Sequence, residues 1–335
     1  MALSRLRGTG TRPDPQEDRA LAGFDQAVDL TRPTPQRIGR PILYRLSRDL
    51  TARFGLVLVT VFTLMAAAGP RLAPHDPREV TVDRLEGPSL EHLLGTDGLG
   101  RDLFSRLLHG SRLTLGTALL AALLVTVLGL LVGTLAGYAG GIVDTFLMRV
   151  VDVVLAIPGL VLALAVAGLF TPSLLAVMLG LVTIWWAGYA RVVRALILGL
   201  RGRPFVEAAR SVGASEGRVL LRHVLPGVIS PVVVLATLDI GQLVLVISGL
   251  TFLGLGAPPP TPEWGAMLND GRVYFLSDPH VVLIPGLAIS LAVLGFNLLG
   301  DGIRDALDPR LAQAETRPAL LGRRRRVHRV PPASA

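Results

Sequence analysis

The sequence has 335 residues, 51% hydrophobic and only 5% aromatic, with no cysteine and a formal net charge of +8. That composition is one of a polytopic membrane protein, and without cysteine there are no disulfides, thiolate nucleophiles or Cys-ligated zinc or iron–sulfur centres. All 33 basic residues are arginine, so the chain lacks the lysine of a GxxxxGK[ST] phosphate loop, and any ATP that drives it must be bound by another subunit.

The positive charge is unevenly placed. Ten Arg precede residue 54, seven lie from Arg191 to Arg222, and Arg323 to Arg326 form a run near the end. Arginines gathered in tails and one loop read as positive-inside bias and attraction to a lipid bilayer with anionic headgroups, not as nucleic-acid binding. Between them lie six apolar runs, at about 54–72, 113–138, 146–170, 173–193, 229–254 and 281–301. Each is matched to the roughly 20 residues that cross a ~30 Å hydrocarbon core. The first begins behind an Arg-, Pro- and Asp-bearing tail, too far in for a cleavable signal peptide, and is expected to be a span. Six spans return both tails to one side, and the Arg-rich 194–228 loop falls there too, which assigns all three to the cytoplasm. The segment 71–112 carries six Arg and seven acidic residues on the opposite face.

Taken in chain order, the first marked stretch is His92-Leu93-Leu94-Gly95-Thr96-Asp97-Gly98-Leu99-Gly100-Arg101-Asp102-Leu103-Phe104-Ser105-Arg106, running on into Gly110-Ser111-Arg112-Leu113-Thr114-Leu115. Its three glycines permit a tight turn, and Asp102 is expected to cap a short helix whose Leu103, Phe104, Leu107 and Leu108 suit the membrane interface. Gly129, Gly133, Gly137 and Gly141 recur every four residues, a stripe for close helix packing. Arg149 and Asp152, at i and i+3, are read as a local pair at the entrance of the third span.

Between the fourth and fifth spans stands Glu207-Ala208-Ala209, then Gly213, then His223-Val224-Leu225-Pro226. Phe205, Val206, Ala209, Val212 and Ala214 put an apolar stripe on an expected helix of about three turns, with Glu207, Arg210 and Ser211 facing elsewhere. Gly213 permits an end or turn, and Pro226 suits the first turn of the next span. Asp239, with Gln242 one turn on, lies about eight residues into the fifth span. A charge there costs roughly 2.5–3.5 kcal/mol on insertion scales, so the two either line a substrate path or make a buried hydrogen bond to another helix. The histidines, His75, His92, His109, His223, His280 and His328, show no metal-ligand spacing, and no metal site or catalytic residue is expected.

These residues carry a family resemblance. The 207–226 stretch resembles the EAA loop of permease subunits of ATP-binding-cassette importers, and 92–115 resembles the LGTDxxGRDxxSR segment of C-type permeases of the dipeptide, oligopeptide and nickel group. Asp144 to Asp152, Ala190 to Arg194, Phe252 to Gly256 with Pro262 to Gly265, and Asn297 to Arg310 fit the same family in order. The resemblance covers about 40–311; Gly227 departs from the Asn often found after the loop proline.

It implies an all-α polytopic membrane protein with six transmembrane helices in the type I importer permease fold. The expected organisation is a cytoplasmic tail over 1–52, a first span and extracytoplasmic segment over 53–112, a permease core over 113–302 with the coupling loop at 201–226, and an Arg-rich cytoplasmic tail over 303–335. Glu207, Ala208, Ala209, Gly213, His223, Leu225 and Pro226 would couple to the ATPase, with Asp239 and Gln242 in the path. Implied partners are a B-type permease subunit, two ATPase subunits or domains holding ATP and Mg, and an extracytoplasmic solute-binding protein. The chain itself would hold no cofactor and would lie in a bacterial cytoplasmic membrane with both termini inside. Peptide is the expected cargo, nickel or another small solute the alternative. A secondary transporter would need its own ion site and inverted repeats, and an intramembrane enzyme a reactive pair at membrane depth.

Overall fold

The computed structural model describes residues 49–307; the Arg-rich tails, Arg323 to Arg326 and His328 lie outside them. The described residues form ten α-helices and no named strand. Helix α1, Leu50–Leu72, starts at Asp49, whose carboxylate accepts the Thr51 N–H at 2.9 Å. Helix α2, Leu103–Ala139, is 37 residues long, or about 55 Å at 1.5 Å per residue. Asp102 does cap it, accepting the Ser105 N–H at 2.7 Å, but the expected short interfacial helix is absent as a separate element. With no proline in this stretch, α2 runs unbroken through the expected domain boundary at 112/113, and Leu103 and Leu108 are buried in the protein.

The third apolar run is a correction. It forms α3, Gly141–Ala156, and α4, Gly159–Gly168, bent by 88°. Pro158 has no N–H to continue the ladder and disfavours helical Ile157, which is extended at φ −89° and ψ 132°. Helix α5, Leu174–Arg201, follows, capped by Ser173. The loop helices α6, Pro204–Ser211, and α7, Glu216–Val219, lead through a wide π turn, Leu220–Val224, into α8, Leu225–Phe252. The short α9, Trp264–Gly271, precedes α10, His280–Leu307. Helices α1, α2, α5, the run Glu216–Phe252 and α10 are long and apolar enough to cross a membrane, and α3/α4 makes a sixth span if the bent pair counts as one.

Packing centres on α2 against α5, with α10 against α1 and α8. Added Cβ atoms at Gly129, Gly133 and Gly137 would meet Tyr189 Cβ at 2.2 Å, the Ala190 carbonyl at 2.5 Å and the Arg194 carbonyl at 3.1 Å. The stripe therefore lets two backbones touch. Gly141 is not part of it: nothing lies within 4 Å of an added Cβ, and it opens α3 with a φ of +56°, next to Gly140 at the junction with α2.

Candidate coupling loop and transport path

The sequence places small and apolar residues of α6 on an inward face, and the fold anchors them. Val206 is fully buried, and Ala209 and Ala214 pack against the main core. The helix ends sooner than the expected three turns, after eight residues. Gly213 takes φ +84°, and Gly213 N–H donates to the Arg210 carbonyl at 2.9 Å while Ala214 N–H donates to Ala209 at 3.1 Å. This is a Schellman termination, whose left-handed residue favours glycine. The apolar stripe is consequently divided, because Phe205 and Val212 are exposed, beside exposed Glu207 and Ala208.

A charged clasp holds this surface to the bundle. Arg210 Nε and Nη2 donate to the two Glu216 carboxylate oxygens at 3.0 and 3.1 Å, and Tyr138, on the last turn of α2, donates to the same carboxylate. Glu216 beside it raises the Arg210 guanidinium above its ordinary pKa. On the far side, Arg201 Nη1 donates to the Gly137 carbonyl at 3.1 Å. The π turn then accommodates Pro226. Leu225 N–H donates to the Leu220 carbonyl, widening the helix where proline supplies no N–H and its ring would crowd the preceding turn. His223 is half-buried there with Nδ1 enclosed, Leu225 is half-buried, and Pro226 is exposed.

Within the bundle, Asp239 is half-buried and accepts a 2.7 Å hydrogen bond from the Tyr189 hydroxyl on α5, while Gln242 is exposed. The interhelical hydrogen bond is therefore real, and Tyr189 is the partner that the sequence reading missed. The Arg149–Asp152 pair is a correction. Asp152 instead accepts from Arg191 Nη2 at 2.7 Å, because α3 lies against α5, and Arg194 forms a two-pronged pair with Asp144 at 2.5 and 2.6 Å. Arg149 is exposed beside Phe146.

The opposite end of α2 is covered by the segment before it and by α9. Asp97 accepts from Arg101 at 2.7 Å, Arg101 reaches Asp270 at 2.9 Å, and Arg106 lies 3.5 Å from Asp97 and 3.7 Å from Asp270. Arg101 and Arg106 are almost wholly buried, so the motif's charges neutralise one another and clamp α9 onto the start of α2. Glu263, fully buried, caps α9 through the Ala266 N–H at 2.9 Å and accepts the Thr114 hydroxyl at 2.9 Å. Burial raises its carboxyl pKa, opposed by those hydrogen bonds. Trp264 beside it donates its indole N–H to the Leu107 carbonyl at 3.1 Å and stands edge-on to Phe62.

Residues 129–313 match the family model described as binding-protein-dependent transport system inner membrane component. Residues 39–88 match the N-terminal TM domain of oligopeptide transport permease C. The chain is 40% identical over 273 residues to the dipeptide transport system permease protein DppC of Alkalihalophilus pseudofirmus, covering 81% of this chain and 90% of that one. It is 43% identical over 267 residues to the nickel transport system permease protein NikC of Escherichia coli K12, covering 79% and 96%. Against the glutathione transport system permease protein GsiD of Pectobacterium atrosepticum it is 46% identical over 242 residues, covering 72% and 80%. A helical bundle with these matches belongs to the binding-protein-dependent transport system inner membrane component family, as a C-type permease of ATP-binding-cassette importers.

Proposed function

We propose that this chain forms half of a translocation pathway for di- or oligopeptides and is driven by ATP hydrolysis on separate subunits that grip α6. The observation that carries the reading is the two-sided build of α6 and the turn that ends it: Val206, Ala209 and, past the turn, Ala214 pack inward, while Phe205, Glu207, Ala208 and the capping Val212 are offered outward. A helix held rigidly from behind transmits a push to the bundle. Glu207, Ala208, Ala209 and Gly213 form the contact and its turn, and His223, Leu225 and Pro226 pass the movement into α8. Asp239 and Gln242 face the path.

The partners in this reading are a B-type permease, two ATPase subunits or domains carrying ATP and Mg, and an extracytoplasmic solute-binding protein. The chain sits in a bacterial cytoplasmic membrane with 1–52 and 303–335 inside, 53–112 contributing the first span and outer segment, and 113–302 the core with its loop at 201–226. Peptide is preferred to nickel because relatives named for dipeptide and for glutathione, itself a peptide, stand among the matches. The test is a complex reconstituted with its partners. Glu207→Arg is expected to abolish substrate-stimulated ATP hydrolysis while the chain stays in the membrane, and unchanged stimulation overturns the assignment. Reporter fusions at Gly202 and Glu86 should read inside and outside.

A further inference from the structure

The fold gathers three metal-ligating side chains that lie apart in sequence. His75 follows α1, His92 lies in the next turn-rich segment, and Asp102 caps α2; one ligand atom from each lies within 4.8 Å of the others. His92 Nδ1 is 3.0 Å from Asp102 Oδ1, and His75 Nδ1 is 3.8 Å from Asp102 Oδ2. The two imidazole rings lie 4.9 Å apart, tilted by 39°. Ligand atoms 2.0–2.1 Å from a tetrahedral ion stand about 3.3 Å apart, so the cluster is close to the dimensions of a site.

The Asp102 carboxylate is held from behind, its Oδ2 accepting the Ser105 N–H at 2.7 Å, a support of the kind that orients a ligand. The two histidines are placed through their main chain: the Ser105 hydroxyl accepts the His75 backbone N–H at 3.1 Å and the Ser89 hydroxyl accepts the His92 backbone N–H at 3.0 Å. His75 Nδ1 is enclosed and has no hydrogen-bond partner, although it faces the carboxylate. The His92 and Asp102 side chains are 5% and 1% exposed, whereas that of His75 is 31% exposed. His75 is therefore the one member of the cluster whose ring reaches the surface, although its Nδ1 is turned inward.

We propose that His75, His92 and Asp102 bind a resident divalent first-row cation of the Zn²⁺ or Ni²⁺ kind, which staples the segment between α1 and α2 to the start of α2. Two imidazoles and one carboxylate favour such borderline ions over Mg²⁺ or Ca²⁺, which take all-oxygen shells. A resident ion and a passing metal cargo share this chemistry, and turnover separates them. The inference stands apart from the coupling role of α6.

The assembled complex, purified through a tag without histidine and stripped with EDTA, is dialysed against micromolar Zn²⁺. One equivalent per permease is expected, with a raised thermal midpoint, and its affinity should fall at least about tenfold in His75→Ala and His92→Ala but not in His109→Ala. Co²⁺ in place of Zn²⁺ should give visible d–d bands that His75→Ala abolishes, which decides the matter even if the buried His92 variant fails to assemble. The equivalent should survive ATP-driven turnover. No bound Zn²⁺, or unchanged binding in His75→Ala, overturns the site; loss of the ion during turnover overturns its resident character.

Discussion

The Tyr138 hydroxyl donates to the Glu216 carboxylate, joining the last turn of α2 to the first turn of α7. Arg210 reaches the same carboxylate from α6. Three elements thus meet on one acidic group at the loop end of the bundle, and α2 carries that junction across to the clamp of Asp97, Arg101, Arg106 and Asp270.

If α6 drives the bundle, Tyr138→Phe should loosen the drive without unseating the helix, since Val206 remains buried. An exposed hydrogen bond contributes about 0.5–1.5 kcal/mol, so substrate-stimulated ATP hydrolysis is expected to fall about two- to tenfold at unchanged assembly. ATPase assays on reconstituted complexes check it. Rates equal to wild type would mean that the apolar anchors alone hold α6.

Gly213 gives a sharper test because the space around it is open: no atom lies within 4 Å of a Cβ built there. Its requirement is the φ of +84° alone. Gly213→Val should therefore strain the turn by about 1–2 kcal/mol and lower stimulated ATP hydrolysis about five- to thirtyfold, while Gly213→Asn, which tolerates the left-handed conformation, should retain most of it. Equal activity in the two variants would detach the turn from coupling.

Much of this was legible in the residues. The apolar runs located the spans apart from the bend in the third, the spacing of Gly129, Gly133 and Gly137 announced a close-packing face of α2 without naming its partner, and Asp102 was recognisable as a cap. What escaped were relationships that only the fold creates. Asp152 met Arg191 on another helix in preference to Arg149 one turn away, because α3 packs on α5. The break in the third span was carried by a single residue, Pro158, the one proline in a run whose charged residues, Arg149 and Asp152, lie before it. His75 and His92 lie too far apart in sequence to read as ligands until the segment before α2 folds back on itself. Tyr189 gave one available signal, a lone phenol in a span that also held no acid for it to meet.

Glu263 sets a pH dependence whose sign is opposite to that of a salt-bridged acid. Its carboxyl pKa is raised by burial, so the stability it contributes is fully present below its unfolded value and lost as pH rises through the raised folded value. The thermal midpoint of the detergent-purified complex should include a component that declines from the ordinary carboxylate range upward, and Glu263→Gln should remove that component. Gln keeps one oxygen for the Ala266 N–H and presents its NH2 to the Thr114 hydroxyl, which can turn to accept, so it should fold well. Glu263→Ala deletes the cap and leaves those groups without it, at a cost of about 1–3 kcal/mol. A midpoint profile identical in wild type and Glu263→Gln refutes the account.

Asp239 is the acid whose role divides transport from architecture. Its hydrogen bond from Tyr189 ties α8 to α5, yet it is only half-buried and Gln242, one turn on, is exposed. Asp239→Asn keeps an oxygen to accept the Tyr189 hydroxyl and removes the charge, so the complex should assemble normally. A charge facing a water-filled path acts on whatever passes, and uptake rate or substrate preference per assembled complex should therefore change. Tyr189→Phe is the counterpart: it removes the hydrogen bond and leaves the charge, and should lower thermal stability by about 1 kcal/mol with a smaller effect on preference. If Asp239→Asn instead fails to assemble while transport per assembled complex is unaltered, the residue is a structural partner of Tyr189 and other groups line the path.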